Sequence, residues 1–490
     1  MALFPGSFDP FHLGHLGVVE WAAQSYDEVV VGILGNPEKP SGMFAPADRA
    51  RLVELSVGHL PNVRCVVSGG LTGELARQVG AAVIVRSAHK DQDLERQLAV
   101  LNKFISEGVP TVFAPADPPP PDISSSVVRE LIASADLDAA AALVAPGAGK
   151  ELARLPRLPA GTRSKGSAAS NPMTVGRRVA PVRIAAIQDA PVLLDRDATL
   201  DKALALVEQA AGLGAQLVAF PEAFISGYPD WVGRTPPDGD HAAALLAALF
   251  DSAVVVGSAT TQILGLAARR HHVYLSIGIN EREPDGPALF ATQLLFGPDG
   301  ALLSAHRNLV PGGGERMVWR AGDGSRMEVV ETPFGRLGTL AHREALMPLA
   351  RAWLYAHHVD LVLVPAWDLS GGSWPATLEH LAWEGSVFVV GVGQYLRPAD
   401  VPPSVPGRSA LYGGRRPGPA GGGTTIVAPD GDPRARAPRQ GCAITVADVD
   451  VNEGRHRRHR NGDRLRADVF ELTLTRAPSP SSDPVAPSGT

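Results

Sequence analysis

Two patterns of hydrophobic and polar positions divide the chain into two regions. In residues 1–150, short β-rich runs alternate with helical patterns, an order that predicts a parallel sheet with helices on both faces. The β-rich runs are Leu3–Pro5, Val29–Leu34, Val63–Val67, Ala82–Arg86 and Thr111–Phe113. Residues 182–476 mix amphipathic helices with hairpins. The clearest examples are the helical face Leu200, Ala203, Leu204, Val207 and Ala211, and two strands, Phe290–Phe296 and Ala301–Ala305, around a turn at 298–300.

Three segments have no sustained period. Residues 151–181 are rich in Pro, Gly, Ser, Ala and Arg and are interpreted as a linker. Pro402–Gly423 is an irregular Gly/Pro-rich insertion, and the Pro/Ser-rich residues 477–490 are expected to be a disordered tail. The chain therefore has two predicted domains, 1–150 and 182–476, joined by a linker.

The composition is that of a folded protein, since 45% of the 490 residues are hydrophobic and 20% are charged. The net charge of −6 gives no general attraction to nucleic acid or to an anionic membrane. No apolar run is long enough to span a bilayer, and the absence of a secretory leader predicts a cytoplasmic protein. Cys65 and Cys442 lie in β-like runs and are expected to be buried, reduced thiols.

The first motif with chemical meaning is Pro-Gly-Ser-Phe-Asp-Pro-Phe-His-Leu-Gly-His at residues 5–15, directly after the first strand. In a doubly wound sheet this position lines the ligand crevice. Gly6 would let the backbone approach a phosphate, and the start of the following helix favours negative charge. His12 and His15 are placed so that both imidazoles could face one phosphate chain.

This region resembles the nucleotidylyltransferases with a His-x-Gly-His signature, and among them the phosphopantetheine adenylyltransferases. Further segments match the family pattern in order: Asn36–Lys39, Phe44 with Asp48 and Arg49, Val83–Arg86, Gln97–Asn102 and Ile123–Glu130. The resemblance implies a doubly wound, Rossmann-like domain. It also implies adenylyl transfer from ATP to a phosphorylated acceptor, without a covalent enzyme intermediate.

By resemblance, His15 stabilises charge at the α-phosphate, while Lys39 and Arg86 hold the attacking and transferred phosphates. These residue types suit a reaction that depends on positioning and charge neutralisation. The implied acceptor site comprises Ser7, Lys39, Thr72, Arg86 and Asn102. The implied nucleotide site comprises Gly6, Ser7, Phe8, His12, His15, His89, Glu95, Ile123, Ser124, Ser125, Ser126 and Arg129. The resemblance also implies that Mg²⁺ bridges the ATP phosphates, although no dedicated carboxylate cage is visible in the sequence.

The sequence departs from this family at the nucleotide side. Residues 86–91 read Arg-Ser-Ala-His-Lys-Asp, two residues shorter than the usual loop and without its second arginine. Either His89 or Lys90 could supply that charge. Prolines at 118–121 replace an aromatic residue that usually precedes the Ile-Ser-Ser-Ser run. The residues of the acceptor-phosphate site therefore match the family pattern better than the nucleotide loop does.

The second region resembles the nitrilase branch of the carbon-nitrogen hydrolases. The match is carried by Ala186–Val192, Phe220–Trp231, His306–Pro311, Gly314–Arg316, Thr332–Arg336 and Asp468–Leu472. The resemblance implies an α-β-β-α sandwich whose chemistry uses a cysteine nucleophile, a glutamate base, a lysine and a second glutamate.

Two of those four positions are kept and two are replaced. Glu222 and Glu315 match the glutamates, whereas Asn308 stands at the lysine position and His342 at the cysteine position. Because nitrile hydrolysis needs a thiolate to form a thioimidate, we expect no hydrolysis. Arg343 follows His342 directly, so a buried salt-bridge plug and an anion-binding pocket both remain open.

The basic run at residues 455–460 is interpreted as a solvated face and not as a nucleic-acid site, since no aromatic residues interleave with it. The His271–His272 and His357–His358 pairs lack metal-ligand spacing, so no protein-bound metal is expected.

The leading hypothesis is an adenylyltransferase that converts 4'-phosphopantetheine to dephospho-coenzyme A, fused to a silent nitrilase-fold module for assembly or ligand binding. The alternatives are another phosphorylated acceptor, a non-catalytic ligand-binding or scaffold protein, and an active carbon-nitrogen hydrolase with unrecognised chemistry. The expected partners are small-molecule substrates and further copies of the same chain, with neither nucleic acid nor membrane.

Overall fold

A computed structural model describes most of the chain, and it divides into two compact units, Met1–Met173 and Thr174–Thr490. The described residues are 1–34, 43–68, 72–87, 108–114, 123–134, 136–152, 154–155, 179–235, 239, 241–284, 286–413, 421–461 and 469–474. The predicted tail at 477–490 and most of the predicted linker, residues 156–178, lie outside these ranges.

The first unit contains one five-stranded parallel sheet in the order β3-β2-β1-β4-β5. Its strands are β1 (Ala2–Gly6), β2 (Val29–Leu34), β3 (Val63–Ser68), β4 (Val83–Ser87) and β5 (Thr111–Ala114). Its helices are α1 (Leu13–Ser25), α2 (Pro46–Val57), α3 (Thr72–Val79), α4 (Ser125–Ala133), α5 (Leu137–Ala142) and α6 (Pro146–Leu152). Each of the five predicted β-rich runs is a strand.

Helices cover both faces of this sheet. On one face, Val19 of α1 and Val53 of α2 pack against Val31. On the other face, Leu75 of α3 packs against Val30 and Ile84. The strand order reverses between β1 and β4, so the loops after these two strands border the crevice where doubly wound sheets bind ligands. The predicted α/β fold class is confirmed for this unit.

The second unit contains two six-stranded sheets, ordered β10-β9-β8-β7-β6-β17 and β11-β12-β13-β14-β15-β16. The strands of the first sheet are β6 (Val182–Gln188), β7 (Leu217–Ala219), β8 (Tyr274–Arg282), β9 (Leu289–Phe296), β10 (Leu302–Arg307) and β17 (Ala443–Val449). Those of the second are β11 (Val329–Thr332), β12 (Gly335–Thr339), β13 (Leu361–Ala366), β14 (Phe388–Gly393), β15 (Thr425–Val427) and β16 (Pro433–Arg436). The predicted hairpin is β9–β10.

Seven helices in the described ranges belong to this unit. They are α7 (Arg196–Gly212), α8 (Ala242–Ser252), α9 (Ala259–His271), α10 (Pro348–Ala356), α11 (Trp374–Gly385), α12 (Arg408–Tyr412) and α13 (Asn452–Asn461). Helices α7 and α9 contact the first sheet. Leu354 of α10 and Leu378 of α11 pack with Val362 on the second sheet.

The main core of this unit lies between its two sheets, where Ile184 and Leu217 of one sheet pack with Leu361, Phe388 and Ile426 of the other. With helices outside each sheet, the architecture is the expected α-β-β-α sandwich. Burial removes the apolar face of each sheet from water, and this is the main favourable term for the fold.

Several local predictions need correction. On α7 the buried face contains Leu206 and Ala210, whereas the predicted Leu204 and Ala211 are only half-buried. The insertion at 402–423 is not wholly irregular, since it contains α12.

Cys442 is exposed and Cys65 is half-buried, so the expectation of two buried thiols is wrong for Cys442. It precedes β17 instead of lying within that strand.

The basic run lies on α13, and part of it is structural. Arg455 and Arg458 both form ion pairs with the buried Asp360, at 2.6 and 2.5 Å. His456, His459 and Arg460 are exposed, as the solvated-face interpretation requires.

No helix in the described ranges combines the length and apolar character needed to cross a lipid bilayer.

Candidate functional sites

The loop after β1 is held by two arginines that donate to its backbone. Arg49 Nη1 donates to the carbonyl oxygen of Ser7 at 2.7 Å. Arg129 Nη1 donates to the carbonyl oxygen of Asp9 at 2.6 Å. Arg129 therefore supports the loop in this structure. The sequence predicted a contact with the nucleotide for this residue and not this structural role.

The Asp9 carboxylate fastens the same loop to the segment before α2. Its two oxygens accept hydrogen bonds from the backbone amides of Met43 and Phe44, at 2.7 and 3.0 Å. Asp9 is buried, so these bonds satisfy a carboxylate that would otherwise be desolvated without compensation.

The serine run at the start of α4 has two structural contacts. The Ser124 hydroxyl accepts a hydrogen bond from Val127 N at 3.3 Å and caps the helix. The Ser125 hydroxyl donates to the carbonyl oxygen of Pro10 at 3.0 Å. The serine run, which follows Ile123 in the sequence, therefore lies beside the loop after β1. The side chain of Ser126 is not among the described side chains.

His12 and His15 stack on each other, with ring centroids 3.7 Å apart and planes inclined by 24°. The rings of Phe8 and Phe11 lie 5.0 and 5.3 Å from His15. Burial lowers the pKa of His12 to about 4, and burial followed by the neighbouring His12 lowers the pKa of His15 well below its ordinary value. Both imidazoles are therefore neutral near pH 7, and a phosphate would first meet hydrogen-bonding rings and not a preformed pair of cations.

Gly6 is explained by packing inside the protein. A Cβ at this position would lie 2.7 Å from two carbons of the buried Phe8 ring. Phe8 itself has φ of 45°, which directs its ring back over the strand end. The packing of the Phe8 ring is therefore enough to explain a glycine at position 6, without the expected approach of the backbone to a phosphate.

Arg86 lies at the end of β4, beside β1 in the sheet. Burial lowers its pKa to about 10, which still leaves the guanidinium charged. Thr72 is buried at the start of α3. The remaining predicted residues of this site, Lys39, His89, Glu95 and Asn102, lie outside the described residues.

In the second unit, four residues that are distant in sequence meet in one site, which we name the carboxylate pocket: Glu222, Asn308, Glu315 and His342. Glu222 follows β7, where β8 passes so closely that a Cβ at Gly278 would lie 2.3 Å from Pro221 O. Asn308 directly follows β10, and its Nδ2 donates to Glu222 Oε1 at 2.9 Å. Both side chains are buried.

Glu315 lies in a 3-10 turn, Gly313–Met317. Its Oε1 accepts a hydrogen bond from the Tyr228 hydroxyl at 2.5 Å, and its Oε2 accepts one from Gly312 N at 2.6 Å. Tyr228 stacks on Trp367 with ring centroids 5.0 Å apart. An aromatic wall therefore supports this carboxylate.

His342 begins a 3-10 turn, His342–Leu346, and has φ of 40°. A positive φ is strained for a residue with a Cβ, and such strain concentrates at functional positions. Its Nδ1 lies 3.7 Å from Glu222 Oε2 and 3.8 Å from Glu315 Oε1, and its ring stacks on Trp374 at 5.0 Å. The residue at the cysteine position thus lies between the two glutamates.

The charge states in the pocket follow from burial. Burial, with the repulsion of Glu315, raises the pKa of Glu222 well above its ordinary value, although the hydrogen bond from Asn308 opposes the shift. Burial lowers the pKa of His342, despite the attraction of Glu315. A neutral imidazole therefore faces a carboxyl group that is readily protonated.

Arg343 acts on this pocket through its charge, which adds to burial in lowering the pKa of His342. It is exposed, and its side chain lies over Gly312, where a Cβ would be 2.6 Å from Arg343 Cδ. The exposed side chain therefore does not form a buried salt-bridge plug, and the anion-binding alternative stays a prediction.

One supporting residue escaped the sequence analysis. Glu344 is fully buried and accepts hydrogen bonds from Leu309 N and Ala341 N, at 2.6 and 2.8 Å. It also lies 2.7 Å from His306 Nε2. The only signal in the sequence is an acidic residue two positions after His342, which says nothing about its partners.

Comparisons with known proteins match both units. Residues 3–131 match the cytidylyltransferase-like family. Residues 183–459 match the carbon-nitrogen hydrolase family. The first unit is therefore cytidylyltransferase-like, and the second has the nitrilase-superfamily fold.

Similar curated proteins include an aliphatic nitrilase of Sinorhizobium fredii, 37% identical over 310 residues, with 60% of this chain and 96% of that protein covered. Another is a bifunctional nitrilase/nitrile hydratase NIT4 of Oryza sativa, 36% identical over 295 residues, with 56% of this chain and 78% of that protein covered.

Among solved structures, Nit3 of Saccharomyces cerevisiae is 18% identical with a TM-score of 0.46, covering 60% of this chain and 99% of that chain. An amidase of Nesterenkonia sp. AN1 is 22% identical with a TM-score of 0.42, covering 57% of this chain and 99% of that chain. The family match spans more than half of the 490 residues, and the nitrilase of S. fredii is covered almost whole. The chain accordingly belongs to the carbon-nitrogen hydrolase family and carries a cytidylyltransferase-like domain ahead of that region.

Proposed function

We propose that the first unit transfers the adenylyl group of ATP to 4'-phosphopantetheine, giving dephospho-coenzyme A and pyrophosphate. The observation that carries this proposal is the position of His12 and His15, directly after β1, with Arg86 at the end of the adjacent β4. These groups border the point where the strand order reverses, which is where doubly wound sheets bind nucleotides.

The stacked imidazoles would act first as neutral hydrogen-bonding groups. A phosphate beside them favours the protonated form, so charge stabilisation by His15 would be coupled to proton uptake when ATP binds. Arg86 is already charged and would supply a fixed fork of donors for the transferred phosphate. Among the described residues, no group of three His, Cys, Asp or Glu side chains has an arrangement that could hold a metal ion. In this proposal Mg²⁺ is held mainly by the ATP phosphates.

For the second unit we propose a pocket that binds a ligand without hydrolysing nitriles. The chain has two cysteines, and both lie outside the carboxylate pocket: Cys65 in β3 and Cys442 before β17. An imidazole at position 342 cannot form the thioimidate that a thiolate forms, and the amide of Asn308 brings no positive charge to the tetrahedral intermediate.

Pyrophosphate release from ATP and 4'-phosphopantetheine by the full chain tests the first proposal. His15→Ala should abolish turnover, and His59→Ala, at an exposed histidine of the same unit, should not change it. Wild-type turnover no higher than that of His15→Ala would overturn the catalytic proposal. Turnover only with a different phosphorylated acceptor would keep the reaction class and replace the substrate.

A further inference from the structure

The carboxylate pocket contains two carboxyl groups and no cationic side chain among its described residues. Among the residues that the structure describes, His342 alone brings a basic group within 4 Å of Glu222 and Glu315, and burial favours the neutral form of its imidazole. Asn308 reaches Glu222 with an uncharged amide. The four residues of the pocket therefore include two acidic groups and supply no counter-charge of their own, while the charge of the neighbouring, exposed Arg343 adds to burial in lowering the pKa of His342.

Two buried polar atoms of the pocket have no hydrogen-bond partner within the described residues. They are Glu222 Oε2 and His342 Nδ1, which lie 3.7 Å apart, beyond hydrogen-bond distance. Glu222 is 3% exposed. A buried polar atom without a partner is unfavourable, so a ligand that brings donors to Glu222 Oε2 removes that cost as well as forming a hydrogen bond.

The missing partner can be described by its chemistry. It should present donors from one small centre, because Glu222 Oε2 and Glu315 Oε1, the latter already bonded to the Tyr228 hydroxyl, both lie within 4 Å of His342 Nδ1. An ammonium group has three N–H donors, no acceptor and a positive charge. A carboxylate or a phosphate would instead add an acceptor and repulsion.

We propose that the carboxylate pocket binds a small primary ammonium, R–NH₃⁺, which supplies the positive charge absent at Asn308. This inference rests on the proposed non-hydrolytic function of the second unit. The ammonium donates to Glu222 and Glu315, and its R group contacts the aromatic side chains that surround them. Trp374, stacked on His342, and Tyr228, stacked on Trp367, provide that apolar surface.

The electrostatics of Glu222 agree with such a ligand. Burial and the repulsion of Glu315 raise the pKa of Glu222, and a cation between the two carboxyl groups would relieve that repulsion. A neutral amide has fewer donors on its nitrogen and no charge, so it should bind more weakly by at least about tenfold, a difference of about 1.4 kcal/mol.

Isothermal titration calorimetry of the full chain at constant ionic strength tests the proposal. The probes are propylammonium chloride, propionamide and sodium propionate. We expect propylammonium to bind at least about tenfold more tightly than propionamide, and propionate not to bind. Glu222→Gln, which keeps the size of the side chain, should weaken propylammonium binding by about tenfold or more. Glu331→Gln, at an exposed glutamate, should not change it.

A second variant tests the same idea from the opposite direction. Asn308→Lys places an internal ammonium beside Glu222, so it should abolish propylammonium binding and raise the melting temperature of the protein. Propylammonium binding that survives in folded Asn308→Lys, or wild-type binding no tighter than that of propionamide, would overturn the proposal. Ammonia release from propionamide by the wild-type chain would instead contradict the non-hydrolytic function, so the two failures are distinguishable.

Discussion

Glu344 Oε2 lies 2.7 Å from His306 Nε2, and the same carboxylate accepts the backbone amides of Leu309 and Ala341. Leu309 follows Asn308, and Ala341 precedes His342. One fully buried glutamate therefore fixes the backbone on two sides of the carboxylate pocket.

Glu344→Gln should destabilise the second unit by about 3–5 kcal/mol, because it leaves a buried group without its ionic partner. Urea denaturation followed by tryptophan fluorescence measures this, since Trp21 is the sole tryptophan before residue 174. Glu331→Gln, at the surface, is the control and should lie within about 0.5 kcal/mol of the wild type. An equally small effect at Glu344 would contradict the proposed support.

The same pair predicts a pH dependence. Burial alone would lower the pKa of His306, but the facing Glu344 carboxylate raises it above 6.5. The folded state therefore binds more protons than the unfolded state above pH 6.5, so the contribution of the pair is complete below that pH and is lost as pH rises through the raised pKa. Urea midpoints at increasing pH should fall less in His306→Gln than in the wild type.

The first unit should have the opposite dependence. The pKa of His12 is lowered to about 4 from an ordinary 6.5, so the unfolded state binds more protons between these values and stability falls as pH falls. The penalty approaches about 3 kcal/mol near pH 4. Hydrogen exchange of peptides from α1, corrected for intrinsic rates, should show this loss in the wild type and a smaller one in His12→Asn. His59→Asn should follow the wild type.

Replacing either of two glycines near the first motif by alanine should have opposite effects on stability. Gly6→Ala should lower both the stability of the first unit and adenylyl transfer, because the new methyl group meets the Phe8 ring at 2.7 Å. Gly17→Ala, on an exposed part of α1 with no atom within 4 Å, should stabilise the helix by up to about 1 kcal/mol. Melting temperatures and pyrophosphate release check both, and a harmless Gly6→Ala would show that Phe8 moves freely.

The strands of the first unit could be predicted from the sequence because each is a short apolar run between helical patterns. Glu222 and Glu315 could be placed by their motifs. The stacking of His12 on His15 could not, since it depends on the backbone turn at Phe8 and on phenylalanines folded over the rings. On α7, Leu206 is buried where Leu204 was expected because the neighbouring helix and sheet, not the helical period alone, decide which face is covered.

Restoring hydrolysis should require two changes together. His342→Cys provides a nucleophile and Asn308→Lys stabilises the tetrahedral intermediate, so either change alone should give no ammonia from nitriles or amides. The exposed Arg343 leaves the pocket position itself open to the new thiol. Ammonia release is measured for the wild type, both single variants and the double variant. Wild-type release that disappears in Glu222→Gln would show an active hydrolase, with His342 the first residue to test.

Assembly gives a further prediction. We expect each unit to self-associate, so that the fused chain would present two self-associating surfaces. Light scattering at micromolar concentration should give a mass above that of a dimer of the 51.3 kDa chain. A monodisperse monomer would contradict this expectation.

The imidazole at position 342 also determines how the second unit responds to oxidants. Peroxide converts a catalytic thiolate to a sulfenic acid and then irreversibly to a sulfinic acid, whereas histidine does not undergo this series of oxidations. Cys442 is poorly reactive although the residue is exposed, because partial burial of the thiol and its hydrogen bond with Asp189 raise its pKa to about 11 and keep it protonated. Ligand binding in the carboxylate pocket should therefore persist under oxidising conditions and after alkylation of thiols, in which a cysteine hydrolase of the same fold would be inactivated.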